Sequence, residues 1–162
     1  MHLYIQGLLL YVLIFSIWDF CNNKYYIEAW KTISRIDKFK LIGLLLFHNV
    51  LYYFIYFSIF FIHIYYDKVP SKYILYSLIL TVTVKLSWLS NNNRCWFTEK
   101  QNEILGIDSG IGFRDFYSII FNKYPVNSGT GTFRDSLYNY FLYASSSYAL
   151  YLYLKKIRVI KN

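Results

Sequence analysis

The chain has 162 residues, 56% of them hydrophobic and 23% aromatic, but only 16% charged, against about 25% charged in soluble proteins. A small soluble domain leaves much of its surface wet, so this composition excludes an ordinary soluble fold and points to lipid. The net charge of +8 is compatible with a polyanionic partner. Lys and Arg lie mostly between and after the apolar runs, however, where positive charge faces anionic headgroups, and nucleic acid is not expected.

The first apolar run, LYIQGLLLYVLIFSIW, ends at Asp19 and predicts a span over about residues 3–20. It lacks the basic start and small-x-small cleavage site of a signal peptide, so it reads as a retained span. A basic stretch follows, with Lys24, Lys31, Arg35, Lys38 and Lys40. The second run, residues 41–66, exceeds the about 20 residues that cross a bilayer and predicts a tilted span. It contains His48 and Asn49, with His63 near its far end. Two histidines on one helix separated by about 22 Å at 1.5 Å per residue do not ligate one haem iron. His48 therefore reads as a hydrogen-bonded interhelical residue. The third run, residues 73–90, carries Lys85 four residues before Leu89. Lys85 is suited to snorkelling or to pairing with Asp19.

Residues 91–135 are the one sizeable polar stretch. Thr98 and Gln101 fit a capping box and Gly106 fits the position after a helix end, which predicts a short helix over 99–105. Cys95, Thr98, Glu99 and Asn102 fall near one face of it. A near-repeat follows: SGIGFRDFY at 109–117 and SGTGTFRDSLY at 128–138. Gly112, Phe113, Arg114 and Asp115 belong to the first copy. Glycines before a helix can hold an anion, but no strand precedes them and no GK[ST] follows. Two helix starts, one covering 113–122 and one capped at Thr132, are the simpler account. The fourth run, residues 137–154, combines a tyrosine stripe with Ala144 and Ser145, Ser146 and Ser147, a surface for close helix contact.

These readings give an all-α fold. It is a polytopic transmembrane bundle of about four spans, forming a single integral membrane domain over 1–162, with a small helical polar cap at 91–135 between spans three and four. Both termini then share one side. Ten Lys and Arg fall in the two longer loops against six on the other side, which places those loops in the cytoplasm. Cys21 and Cys95 are two in number and show no CxxC pairing. They do not make a disulfide scaffold or a cysteine zinc site, and on the cytoplasmic side they are free thiols open to acylation.

The run CWFTEKQNE, then GIGFRDFY, then NKYP, resembles a family of small integral membrane proteins without assigned activity. Its bacterial members carry C-P-L-T, E-N, a Gly-Phe pair and a Tyr-Pro pair between spans, often with a histidine in an earlier span. The order N-R-C, F-R-D, Y-P likewise resembles small polytopic membrane proteins of giant DNA viruses. The matching residues are His48, Cys95, Thr98, Asn102, Gly112, Phe113, Tyr124 and Pro125, over about residues 45–150. Trp96, Phe97 and Gln101 stand where the bacterial motif has Pro, Leu and Glu. The resemblance implies a multi-pass protein of a host or viral membrane and brings no mechanism with it.

The expectation for function is a structural or interaction component of a membrane, with the bilayer as its surroundings and a protein partner meeting the 91–135 loop. The alternative is a membrane-embedded enzyme acting on a lipid or redox substrate. The binding candidates are Cys95, Thr98, Glu99, Asn102, Gly112, Phe113, Arg114, Asp115 and His48. The sequence assigns no metal site, cofactor or catalytic group.

Overall fold

The computed structural model describes residues 2–91, 94–107, 114, 116–120 and 133–158, and among these every regular element is an α-helix. They are α1 (His2–Asn22), α2 (Lys24–Ala29), α3 (Arg35–Ile64), α4 (Ser71–Ser90), α5 (Trp96–Leu105), α6 (Phe116–Ile120) and α7 (Phe133–Lys156). Among the described residues, α1 from Leu3, α3 and α4 are long and apolar enough to cross a membrane. Their outward faces are apolar, with Leu9, Leu10, Leu13 and Ile17 exposed on α1 and Ile79 and Leu86 on α4. That is the arrangement expected of helices solvated by lipid.

The helix boundaries follow local chemistry. Asn23 separates α1 from α2, and its side-chain oxygen accepts from the Tyr25 amide at 3.1 Å. Ser34 caps α3: its hydroxyl accepts from the Asp37 amide at 3.1 Å and donates to the Asp37 carboxylate at 2.7 Å. The first of these bonds is that of a serine N-cap, while the carboxylate returns to the cap's hydroxyl rather than to its backbone amide. Pro70 precedes α4, which starts one residue later.

The chain forms two compact units, divided within α3: Met1–Tyr53 with Asn91–Gly129, and Phe54–Ser90 with Thr130–Asn162. In the first unit, α1 meets α2 and α6, and α2 meets α5. Tyr26, Leu41 and Leu45 form one apolar cluster, while Tyr11, Val12 and Tyr53 form another. Asn49 ties α3 to α1, donating to the Ser16 hydroxyl at 2.9 Å and to the Leu45 carbonyl at 3.1 Å. Tyr53 donates to the Tyr4 carbonyl at 3.0 Å, and a Cβ on Gly7 would stand 2.7 Å from its hydroxyl. The close approach is open to glycine alone without displacing Tyr53.

In the second unit, α4 and α7 pack along one another. Ile59, Ile62, Val69, Ile74, Ala149 and Leu152 form the core. The end of α7 returns to the turn between α3 and α4. There Lys156 donates to the carbonyls of Tyr66 at 2.8 Å and Asp67 at 3.1 Å, and Tyr66 donates to Leu152 at 3.3 Å. The serines of α7 turn back on their own helix: Ser145 bonds the Phe141 carbonyl at 2.7 Å, and Ser146 bonds that of Leu142 at 2.7 Å. Lys85 lies over the Tyr143 ring at 5.7 Å.

The helix expected over 99–105 starts upstream of Thr98. Cys95 occupies the N-cap, with an extended backbone, and its carbonyl accepts the first helical bond from Glu99 at 3.1 Å. Thr98 is 3% exposed inside the first turn, because α5 uses Thr98, Gln101 and Asn102 as its inward face. The stop at Gly106 is as read: φ is 64°, and the amides of Gly106 and Ile107 return to the carbonyls of Glu103 at 3.3 Å and Asn102 at 3.1 Å. This pair of bonds is a Schellman motif. Of the helix expected over 113–122, the described part is Phe116–Ile120, while the cap at Thr132 lies outside the described residues. Replacing Gly106 by Ala forces a side chain into the left-handed region and is expected to destabilise the end of α5 by about 1 kcal/mol, and Gly106→Asn by less. Hydrogen exchange at residues 101–105 in micelles measures both.

Candidate functional site

The polar residues of the first unit converge where α1, α2, α3 and α5 approach one another. Asp19, near the end of α1, is fully buried, and the Arg114 guanidinium reaches its Oδ1 at 3.3 Å. Both side chains are withdrawn from solvent, at 1% exposure for Arg114 and 0% for Asp19. Arg114 also points to the carbonyls of Asn22 and Ser118, each at 3.5 Å. Asn23 donates to the same carboxylate oxygen at 3.4 Å, and the Tyr26 hydroxyl stands beside the carboxylate. One cation, one anion and several dipoles thus compensate one another in an apolar setting, as buried charge requires. The Asp19 carboxylate, for which the sequence offered Lys85, is matched within its own unit by Arg114.

The network continues into α5. Gln101 donates through Nε2 to the Tyr26 hydroxyl and stands beside the His48 imidazole. His48, in the middle of α3 and 2% exposed, places Nε2 3.2 Å from the Cys95 sulfur. The Phe97 ring meets the imidazole edge-on at 5.9 Å and the Phe47 ring at 4.8 Å, closing the apolar side of the pair. Cys95 itself is half-buried and carries a free thiol, as does the exposed Cys21. Glu99 faces another way: it accepts from the Asn91 amide at 2.9 Å and lies 4.0 Å from Arg94.

The structure therefore brings His48, Cys95, Thr98, Asn102 and Arg114 into one unit, with Glu99 at its edge. Gly112, Phe113 and Asp115 lie outside the described residues. Three members of the network, Asn23, Tyr26 and Gln101, escaped the sequence reading as site residues. Asp19, Asn23 and Tyr26 recur at spacings of four and three, which is the signal of one helical face. Gln101 was visible only as a cap partner, and α5 starting at Trp96 turns it inward instead. Among the described residues no group of three or more His, Cys, Asp or Glu side chains gathers as a metal site would need.

The class defined here is an all-helical protein with three helices long and apolar enough to cross a membrane, with a buried polar network in its first unit. Comparison with protein-family models, curated proteins and solved structures finds no match.

The ion pair makes a quantitative expectation. Arg114→Met leaves the Asp19 carboxylate buried without its cation and is expected to cost about 3–5 kcal/mol, whereas Asp19→Leu combined with Arg114→Met recovers most of that loss. Reversible unfolding of the purified protein in mixed micelles, followed by tryptophan fluorescence, compares the three variants.

Proposed function

We propose that the chain is a four-span integral membrane protein acting as a structural or interaction component of its membrane, with the 91–135 segment as the working surface. The observation that carries the topology is the antiparallel course of α7 along α4, whose end returns to the turn at Tyr66 and Asp67. A helix packed antiparallel along a membrane-spanning helix crosses with it. Its serines satisfy their hydroxyls on their own backbone, which suits a helix of this composition to lipid. The working surface is supported by the anchoring of α5 to His48 of α3 and Tyr26 of α2, and of Arg114 to Asp19 near the end of α1, which holds part of the segment folded rather than as a free tether. Trp96, 53% exposed on α5, and the basic side chains there offer an aromatic and cationic face to a partner or to headgroups. Assignment to a viral membrane rests on the resemblance of the N-R-C, F-R-D and Y-P segments alone.

A second reading, a membrane-embedded enzyme acting on a lipid or redox substrate, is favoured by one observation, the thiol–imidazole contact of Cys95 with His48. Nucleophile and base within hydrogen-bond reach are the arrangement from which covalent catalysis starts.

Single cysteines introduced at residues 110 and 160 test the topology, with impermeant thiol reagents applied to either face of sealed vesicles. The two sites are expected to react from opposite faces, and reaction of both from one face removes the four-span arrangement. Replacing Trp96 by Ala is expected to release a protein partner cross-linked in the native membrane while leaving the melting temperature in micelles within a few degrees, as surface substitutions do.

A further inference from the structure

We propose that Cys95 is an acyl-accepting thiol, charged from a long-chain acyl thioester with His48 as the proton acceptor. The inference deepens the second reading by naming its substrate class, and it rests on the chain lying in a bilayer, where such chains dissolve.

Four features of the site converge on this chemistry. The Cys95 sulfur and the His48 Nε2 are 3.2 Å apart, so the thiol proton has a defined destination. The imidazole is held from several sides: it sits 2% exposed on α3, with Phe97 against its edge at 5.9 Å and Gln101 beside it. Cys95 is the N-cap of α5, a helix of 10 residues. The amides of Trp96, Phe97 and Thr98 precede the first helical bond, which Glu99 makes to the Cys95 carbonyl at 3.1 Å. Such leading amides have no acceptor within the helix and are suited to an oxyanion forming at a carbonyl bound to the sulfur. Finally, the thiol is half-buried rather than sealed, with its neighbour Trp96 exposed, and the Phe97 ring that meets the imidazole packs on Phe47 at 4.8 Å. An apolar chain has aromatic surface to lie against.

The step balances without a redox partner. The Cys95 sulfur attacks the acyl carbonyl carbon, and its proton passes to His48. The new carbon–sulfur bond forms as the bond to the carrier thiol breaks. His48 returns the proton to the departing thiolate, leaving S-acyl Cys95, a free carrier thiol and a neutral imidazole. Cys21, exposed near the end of α1, is an internal comparison within the same molecule.

The experiment uses the full chain in nanodiscs, incubated with palmitoyl-coenzyme A in the absence of any other protein and read by intact mass and peptide mapping. One adduct is expected, at Cys95, cleaved by neutral hydroxylamine as a thioester is. Cys21→Ser retains it and Cys95→Ser loses it. His48→Gly lowers the initial rate by about 100-fold, in the range a positioned base contributes, and added imidazole restores part of that rate, which a purely structural histidine would not allow. Absence of the Cys95 adduct in the unmodified chain, acylation of Cys21 as fast as Cys95, or a His48→Gly rate that is unchanged or unresponsive to imidazole overturns the proposal. The vesicle-labelling topology is read independently, so a failure here leaves the membrane reading standing, and a failure there is seen as such.

Discussion

A buried charge must be matched where it lies, and in this chain that requirement falls on Asp19. Its carboxylate is fully withdrawn from solvent at the end of an apolar helix. The Arg114 guanidinium that answers it comes from a segment 95 positions later in the chain, and reaches it at 3.3 Å. Around that pair the first unit is assembled. Asn23 and Tyr26 extend the network along α2, Gln101 brings in α5, and His48, in contact with Cys95, completes it on α3. Replacing such a pair by apolar residues of like volume often costs little, while removing one partner is severe. Its consequence here is therefore specificity of arrangement: with Asp19 buried, the segment that carries Arg114 has one place to go.

The two units satisfy their polar groups in different ways. The first uses long-range side-chain bonds between elements far apart in sequence. The second relies on a helix pair, α4 and α7, whose hydroxyls bond their own preceding turns and whose core is aliphatic. Among its described residues, long-range polar ties include the Lys156 and Tyr66 bonds at the end of α7 and the pair of His63 with the Tyr148 hydroxyl.

Placing Cys95 at a helix N-cap beside a buried imidazole has a local cause. Asn91 accepts no cap role for α5; it donates instead to the Arg94 carbonyl at 3.2 Å and to Glu99 at 2.9 Å, which folds the entry of the helix back on itself. Cys95 makes no side-chain cap bond, and its sulfur lies against the His48 imidazole of α3 at 3.2 Å. Phe97, the second residue of the helix, then fills the space between Phe47 and His48. The thiol–imidazole contact is thus a product of how the helix begins.

Much of the helical layout was legible in the sequence, because it follows from local quantities. Apolar runs of about 20 residues have few alternatives to helices in lipid, so the expected spans 3–20 and 73–90 fall on α1 and α4, and 41–66 falls on α3, which begins earlier, at Arg35. Gly106 declared the end of α5 through its freedom in the left-handed region, where φ is 64°. The start of that helix was misplaced because Thr98 and Gln101 satisfy a capping rule as well as they satisfy burial, and only packing against α2 decides between the two. Asp19 was recognisable as an ionisable residue at a span end, yet its partner was not: Lys85 and Arg114 are equally cationic in one dimension, and proximity is a property of the folded chain. His48 and Cys95 were each visible as polar residues in unusual company. Their meeting at 3.2 Å joins positions 47 residues apart, and local sequence holds no record of such a distance, because it is set by the packing of α3 against α5 in three dimensions.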